Sequence, residues 1–201
     1  MSDLRLPALP YTRDLKTELI RKLIHFLIAF CPVMAGLSRN VTIAFLAAGV
    51  LSYTAFEVLR LAGVKVPIVS SITAAASRAR DEGHFVLGPV TLALGALFSI
   101  LAFSPAAAAI AIYALAFGDG LAGLVGRFLG RFRPAFMNGK SIEGSLACFI
   151  AVFIAAFRVC GSLQLAGAVA VTATFVEAFP LEDYDNLMLP LSVGFVVQVF
   201  L

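Results

Sequence analysis

The sequence predicts an all-α integral membrane protein of about seven transmembrane helices, one membrane domain over residues 1–201, with a cytosolic N-terminus and the C-terminus outside. Three observations carry that expectation. Of 201 residues, 61% are hydrophobic and only 13% charged, too little polar surface to cover so much apolar surface in water. Long apolar runs recur seven times without the period-two alternation of a barrel strand, and in lipid only helices and closed barrels satisfy every backbone group. The basic residues, finally, fall almost wholly on one side of those runs.

The runs are Leu23–Leu37, Val41–Phe56, Phe85–Phe103, Ala106–Phe117, Ser145–Phe157, Leu163–Val176 and Leu187–Leu201. Several are shorter than the ~20 residues a crossing needs, so each helix is expected to run into its charged flanks. The expected helices lie near 18–37, 41–60, 85–103, 105–118, 143–158, 162–179 and 186–201, with cytosolic loops at 61–84 and 119–142. Arg5, Arg13, Lys16, Arg21 and Lys22 interrupt the approach to the first run, and no small-residue cleavage site follows it, so it is expected to stay in the protein rather than serve as a secretory signal. The second helix ends on Glu57 and Arg60. In the loop that follows, Ile68, Ile72, Ala75 and Ala76 have the spacing of an amphipathic helix before the cluster SRARDEGH ending at His84, so it is expected to lie along the interface. The fourth helix is expected to stop at Asp119, between Gly118 and Gly120. The sixth ends with Glu177, and the seventh begins after Asp183, Asp185 and Asn186.

Of the fifteen Lys and Arg residues, only Arg39 and Arg158 fall on the outer side of this layout, which sets the orientation by the positive-inside rule. All twelve Asp and Glu residues also fall inside. That rule does not require it, so a second cause is needed. The modest net charge of +3 gives no reason to expect a nucleic-acid partner. Cys31, Cys148 and Cys160 have no CxxC or Cys/His spacing and read as small packing residues.

Chemistry-bearing residues gather at the same inner face. Glu18, Arg21, Lys22 and His25 stand at i, i+3, i+4 and i+7 and share one helical face, where ionisable groups at membrane depth line polar cavities. The most informative stretch is Gly118–Ser145, GDGLAGLVGRFLGRFRPAFMNGKSIEGS. Asp119 is placed as a hard-cation ligand between two glycines. Gly123, Gly126 and Gly130 give a following helix a small-residue face, with Arg127 and Arg131 one turn apart. Gly139, Lys140 and Ser141 do not make a P-loop, since Pro134 stands where that motif needs glycine and no strand precedes it. A lysine and two arginines close to Asp119 and Glu143 are what binding a metal-complexed polyphosphate requires. Neither His25 nor His84 belongs to a metal-spacing pattern such as HExxH, and no GxSxG or GxGxxG is present, which sets hydrolase and dehydrogenase chemistry aside.

Taken in order, ExxRKxxH at Glu18–His25, the Asp119–Arg131 stretch with GKSIEGS at Gly139–Ser145, and DNLMLP at Asp185–Pro190 resemble the CTP-dependent polyprenol kinase family, which includes dolichol, phytol and yeast-type diacylglycerol kinases. The central piece alone also looks like phosphatidate cytidylyltransferases; the flanking motifs favour the kinases. The resemblance implies phosphoryl transfer from CTP to a lipid alcohol with Mg²⁺ as the required ion. It implies Asp119, Lys140 and Asp185 as catalytic residues, and Asp119, Glu143 and Asp185 as metal carboxylates, with Glu143 orienting either the metal or Lys140. Arg127, Arg131, Lys140, Ser141, Glu143 and Asn186 would bind nucleotide or phosphate. Glu18, Arg21, Lys22, His25, Glu57, Arg78, Glu82 and Glu177 would form the surrounding wall. One departure stands out: where many relatives carry two Asp before Asn, this chain has Tyr184 and then Asp185, so either Asp183 replaces the first acid or its role is lost here.

The expected partners are therefore a nucleotide, a lipid alcohol and membrane lipids, at the plasma membrane in a bacterium. A small transporter without chemistry is the rival from another class, and the near absence of ionisable groups in the outer halves of the helices argues against it. Leu, Phe, Val and Ala in the tail-binding region do not distinguish phytol, a polyprenol or diacylglycerol, and the oligomeric state stays open.

Overall fold

The computed structural model describes residues 11–64, 83–137, 139–179 and 181–200, and these contain helices and no strand. The first helical segment is α1 (Tyr11–Leu27), a single 3₁₀ turn (Ile28–Phe30) and α2 (Cys31–Leu37), followed at once by α3 (Arg39–Leu61). After 83–87 come α4 (Gly88–Ala102) and α5 (Pro105–Tyr113), which runs through a π-helical stretch (Ala114–Asp119) into α6 (Gly120–Phe128). Beyond a 3₁₀ turn (Ala135–Met137) lie α7 (Ile142–Cys160), α8 (Leu163–Ala178), another 3₁₀ turn (Glu182–Tyr184) and α9 (Asp185–Phe200).

Local chemistry sets the ends of these elements. Pro89 and Pro105 occupy the first turns of α4 and α5, where the missing N–H leaves no helical bond unmade. The hydroxyls of Ser141 and Ser162 accept the amide hydrogens of Gly144 and Leu165 and so cap α7 and α8. Gly161 closes α7 with φ +67°, a left-handed conformation that a side chain resists.

Four helical stretches are long and apolar enough to cross a membrane: Thr17–Leu37, Arg39–Leu61, Pro105–Phe128 and Ile142–Cys160. At 1.5 Å per residue the 24 residues of Pro105–Phe128 reach about 36 Å, beyond the ~30 Å hydrocarbon layer. That helix is central, since Ala107, Ile110, Ala111, Ile112 and Leu115 are all fully buried and between Ala106 and Gly120 only the face carrying Ala106, Ala109, Tyr113 and Phe117 is partly exposed. The core around it includes Val152 and Ala156 of α7, Val169, Ala170 and Ala173 of α8, and Leu189, Val193 and Val197 of α9. Large apolar side chains on the outer helices are exposed instead, among them Leu27, Phe30, Phe45, Leu51, Ile150 and Ile154, as lipid-facing surfaces require.

The end of the fourth helix differs from the expected one. The fourth helix does not stop at Asp119: the π-helical stretch absorbs the irregularity at Gly118–Gly120, so the helix continues to Phe128 instead of opening into a loop over 119–142. Gly130 lies beyond its end, which leaves Gly123 and Gly126 on the helix, facing two different neighbours. The amphipathic helix expected around Ile68 and Ile72 falls outside the described residues.

The approach of α4 to α9 determines where the polar end of the bundle sits. Pro190 lies inside α9 and has no N–H to give the carbonyl of Asn186 one turn before it. Gly95 of α4 packs directly against that carbonyl oxygen and the Pro190 ring. A Cβ at Gly95 would overlap the oxygen, and neither helix can yield without losing core contacts. Gly95→Ala is therefore expected to destabilise the detergent-solubilised protein by about 1–3 kcal/mol, read as a melting temperature lowered by several degrees.

Candidate active site

At one end of the bundle a cavity of about 390 Å³ opens between α1, α6, the 130–141 segment and the junction of α8 and α9, within the size range of ligand sites. Its walls are charged: Glu18, Arg21 and Lys22 from α1, Asp119, Arg127 and Arg133 around α6, then Lys140, Ser141, Glu177 and Asp185.

The centre is Asp119. As the last residue of the π-helical stretch it is buried, and such stretches recur where a helix must present a functional group. Lys22 Nζ donates to Asp119 Oδ2 at 2.6 Å and to its carbonyl oxygen at 3.0 Å. The lysine is itself 2% exposed, and it reaches that depth because Gly123 leaves room: a Cβ there would overlap the Lys22 side chain. His25 Nε2 lies 3.1 Å from the same Asp119 oxygen and 3.0 Å from Asn186 Oδ1. Both of those oxygens accept, so Nε2 carries a hydrogen to donate, and Nδ1 on the other side of the ring lies 3.1 Å from the Arg21 carbonyl. Asn186 Nδ2 in turn donates to Thr91 Oγ1 at 3.0 Å and to the Gly88 carbonyl at 3.3 Å.

A second carboxylate group lies across the cavity. Lys140 Nζ stands 3.6 Å from Glu177 Oε1 and 3.7 Å from Asp185 Oδ2, and donates to the Glu177 carbonyl. Ser145 Oγ donates to Glu177 Oε2 at 2.9 Å. Glu177 is thus held by its own partners, whereas the ion pair from Lys140 to Asp185 is long. On the α1 side Arg21 Nη2 donates to Glu18 Oε1 at 3.0 Å. Arg21 Nε is buried and has no acceptor among the described residues, a donor left over for an anion.

The residues expected from sequence divide clearly. Asp119, Asp185, Lys140, Arg127, Ser141, Glu18, Arg21, Lys22 and Glu177 all line the cavity, while His25 and Asn186 stand behind it and reach it through Asp119. Ser141 is there, but its oxygen caps α7 by accepting the Gly144 amide hydrogen. Glu143 and Arg131 do not line it. The Glu143 carboxylate accepts the backbone N–H groups of Arg131 and Phe132 at 3.0–3.3 Å, so in this structure it organises the 130–132 turn and does not orient Lys140. Glu57 lies elsewhere: fully buried, it receives two bonds of 2.8 Å from Arg60 and one of 2.9 Å from the Val86 amide, which ties the entry to α4 onto α3. Arg78 and Glu82 fall outside the described residues.

One participant escaped the sequence reading and another has a closer role than expected. Arg133 lines the cavity and donates to the carbonyls of Gly126 and Gly139, pinning the 130–141 segment to α6; as one of several arginines in a basic stretch, nothing marked it out. Lys22 was expected in the wall and proves to be the direct partner of Asp119. The Lys22-Asp119 separation of 97 positions leaves no local pattern to show it.

No three His, Cys, Asp or Glu side chains among the described residues gather closely enough to hold a metal by themselves. Mg²⁺ commonly needs only one or two carboxylates, with water and phosphate oxygens completing its shell. Asp119 and Asp185 on the cavity wall suit that mode, and Glu143, engaged with backbone amides, does not.

Comparison with known proteins places this geometry in context. The chain is 32% identical over 192 residues to the phytol kinase of Synechocystis sp., covering 87% of this chain and 76% of that protein. It is 30% identical over 200 residues to the probable phytol kinase 2, chloroplastic, of Oryza sativa subsp. japonica, covering 87% of this chain and 64% of that one. A shorter stretch of 71 residues, 35% of this chain and 22% of the relative, is 34% identical to the CTP-dependent diacylglycerol kinase 1 of Eremothecium gossypii. The chain spans less than two thirds of the length of the two rice relatives, 64% and 63%. No family model and no solved structure matches it.

The Lys22–Asp119 pair yields a stability test. Lys22→Met strips the buried carboxylate of its closest counter-charge and should cost about 3 kcal/mol. Adding Asp119→Asn should recover part of that loss, because the site is then neutral on both sides. Thermal denaturation of the single and double variants reads the coupling, and additive losses would show the pair to be unimportant.

Proposed function

Because the chain belongs to the family of CTP-dependent polyprenol, phytol and diacylglycerol kinases, we propose that it transfers the terminal phosphoryl group of CTP to the hydroxyl of a membrane lipid alcohol, with phytol the first candidate. The observation that carries this reading is a cavity in which Arg21, Arg127, Arg133 and Lys140 share the walls with Asp119 and Asp185 at the polar end of an otherwise apolar bundle. Phosphoryl transfer asks for little covalent chemistry from a protein; it asks for charges that hold the phosphates and the two oxygens in line. The buried Arg21 Nε, lacking an acceptor, fits a phosphate oxygen, and Arg127 and Lys140 are placed to meet others.

In the proposed step the lipid oxygen bonds to the γ-phosphorus as the bond from that phosphorus to the β–γ bridging oxygen breaks, and CDP leaves. The hydroxyl proton passes to a carboxylate. Asp185 is the better acceptor of the two, because Asp119 already shares Oδ2 between Lys22 and His25, whereas Asp185 has Lys140 only at 3.7 Å. Asp119 then serves to fix Lys22 and His25 behind the reacting groups. Mg²⁺, held by Asp119 together with the phosphates, would neutralise the charge that develops on the nucleotide and leave Asp185 to take the proton.

Seven crossings with the N-terminus and the cavity on the cytosolic side, at the plasma membrane in a bacterium, complete the reading. The thirteen inner bases support it, as does nucleotide supply from the cytosol. The lipid hydroxyl would sit at headgroup depth while its tail lies against the apolar helices.

Purified protein given CTP, Mg²⁺ and phytol is expected to release CDP and phytyl phosphate; release of pyrophosphate with a CDP-lipid from phosphatidate would overturn the kinase reading in favour of cytidylyl transfer. A panel of long-chain alcohols and diacylglycerol ranks the substrates. Asp119→Asn keeps an oxygen acceptor for Lys22 but removes its counter-charge, so turnover should be lost at some cost in stability, and melting curves of the variant separate the two effects. Asp185→Asn is expected to lower kcat by about 10²–10⁴-fold, the usual contribution of a general base, with KM for CTP little changed.

A further inference from the structure

We propose that Thr91 is a positioning residue for the site: from α4, which contributes no side chain to the cavity lining, its hydroxyl sets the orientation of the Asn186 carboxamide and through it the hydrogen bond from His25 to Asp119. Thr91 is buried. Its Oγ1 lies 3.1 Å from the Gly88 carbonyl and 3.3 Å from the Leu87 carbonyl, the usual bond of a threonine back to its own helix. A hydroxyl has one hydrogen to give. Having given it to the helix, Thr91 Oγ1 can only accept from Asn186, whose Nδ2 stands 3.0 Å away.

That assignment propagates. With Nδ2 turned toward Thr91 and the Gly88 carbonyl, Oδ1 is turned toward His25, and Nε2 of the ring faces two acceptors, Asn186 Oδ1 and Asp119 Oδ2. The α4 side thus holds the amide in the orientation that His25 needs: Asp119 Oδ2 requires a hydrogen on Nε2, and the Arg21 carbonyl lies 3.1 Å from Nδ1, so the ring meets Asn186 as a donor and cannot exchange roles with it. Without the hydroxyl, Asn186 Nδ2 keeps only the 3.3 Å contact to Gly88. With one long bond left on that side, the amide is free to rotate away and Oδ1 to leave the Nε2–H of His25. Three helices, α4, α9 and α1, thereby transmit one orientation to Asp119.

The kinetic part of the test rests on the kinase reading; the spectroscopic part does not. The chain has two histidines, so ¹⁵N-histidine spectra of the full-length protein in detergent, assigned with His84→Gln, isolate His25. Thr91→Val preserves the shape and removes the hydroxyl, Thr91→Ser restores it, and Thr91→Ala stands in if the valine variant does not fold. The His25 Nε2–H resonance is expected to be retained in the wild type and in Thr91→Ser and to shift or vanish in Thr91→Val. In parallel, kcat should fall about tenfold in Thr91→Val, as for one buried bond left unmade, with KM for CTP changed by less than about twofold and most of the rate regained in Thr91→Ser. An unshifted His25 resonance in Thr91→Val, or a Thr91→Ser variant as impaired as the valine one, overturns the proposal. A wild type with no CTP-dependent turnover on any lipid alcohol would sink the kinase reading alone, and the His25 resonance would still decide the role of Thr91.

Discussion

A lysine and an aspartate 2.6 Å apart, both nearly out of reach of solvent, attract each other strongly because little water screens them, and for the same reason either one alone would be expensive to bury. The arrangement around Lys22 and Asp119 meets that condition with further polar contacts. The Asp119 carbonyl takes a second lysine hydrogen, His25 approaches the same carboxylate oxygen, and Asn186 holds the histidine. The pair also dictates sequence at a distance: α6 needs a glycine at 123 for the lysine to pass, and the helix reaches Asp119 through a π-helical stretch.

The same end of the bundle is held by bonds that the apolar helices cannot supply. Arg133 pins the 130–141 segment to α6, Glu143 collects the amides of its first turn, and Glu57 with Arg60 fixes the entry to α4. Within a membrane, apolar helices gain little from hiding from lipid as apolar as themselves, so close packing and hydrogen bonds decide how they associate. Much of the charge that would serve chemistry therefore serves assembly first. The residues left incompletely satisfied, Arg21 Nε and the Asp185 carboxylate, are the ones best placed to meet a ligand.

How much of this was legible beforehand follows from how local each signal is. Helix positions came from runs of apolar residues: five of the seven runs fall within a described helical stretch, Phe85–Phe103 overhangs α4 at both ends, and Leu187–Leu201 follows α9 to the last described residue. The one-sided charge and the motifs at Glu18–His25, Gly118–Ser145 and Asp185–Pro190 pointed to the residues that line or back the cavity. What stayed hidden was partnership. Glu143 sits two residues into a capped helix and reads equally well as a ligand or as an acceptor for a neighbouring turn; only the fold shows it on the amides of Arg131 and Phe132. Lys22 and Asp119, or Thr91 and Asn186, meet across about a hundred residues, where one sequence holds no trace of the contact. The passage of the helix through Asp119 to Phe128 was missed because Gly118 and Gly120 flank the acid, and glycine ordinarily marks a break. Here a wider helical turn carries the chain on.

The division between the two carboxylates bears on why the cavity lies at the boundary of the apolar layer. A lipid alcohol presents its hydroxyl at headgroup depth and cannot leave its tail behind, while a nucleotide triphosphate cannot enter hydrocarbon. On the proposed reading the two meet only where helix ends carry charge into the interface, which is where α1, α6 and α9 place Lys22, Arg127 and Asp185. A site there must keep one acid compensated so that the bundle holds and another loosely paired so that it can take a proton. Asp119 has the close partners and Asp185 the distant one, so burial and spacing, not residue type, separate their roles.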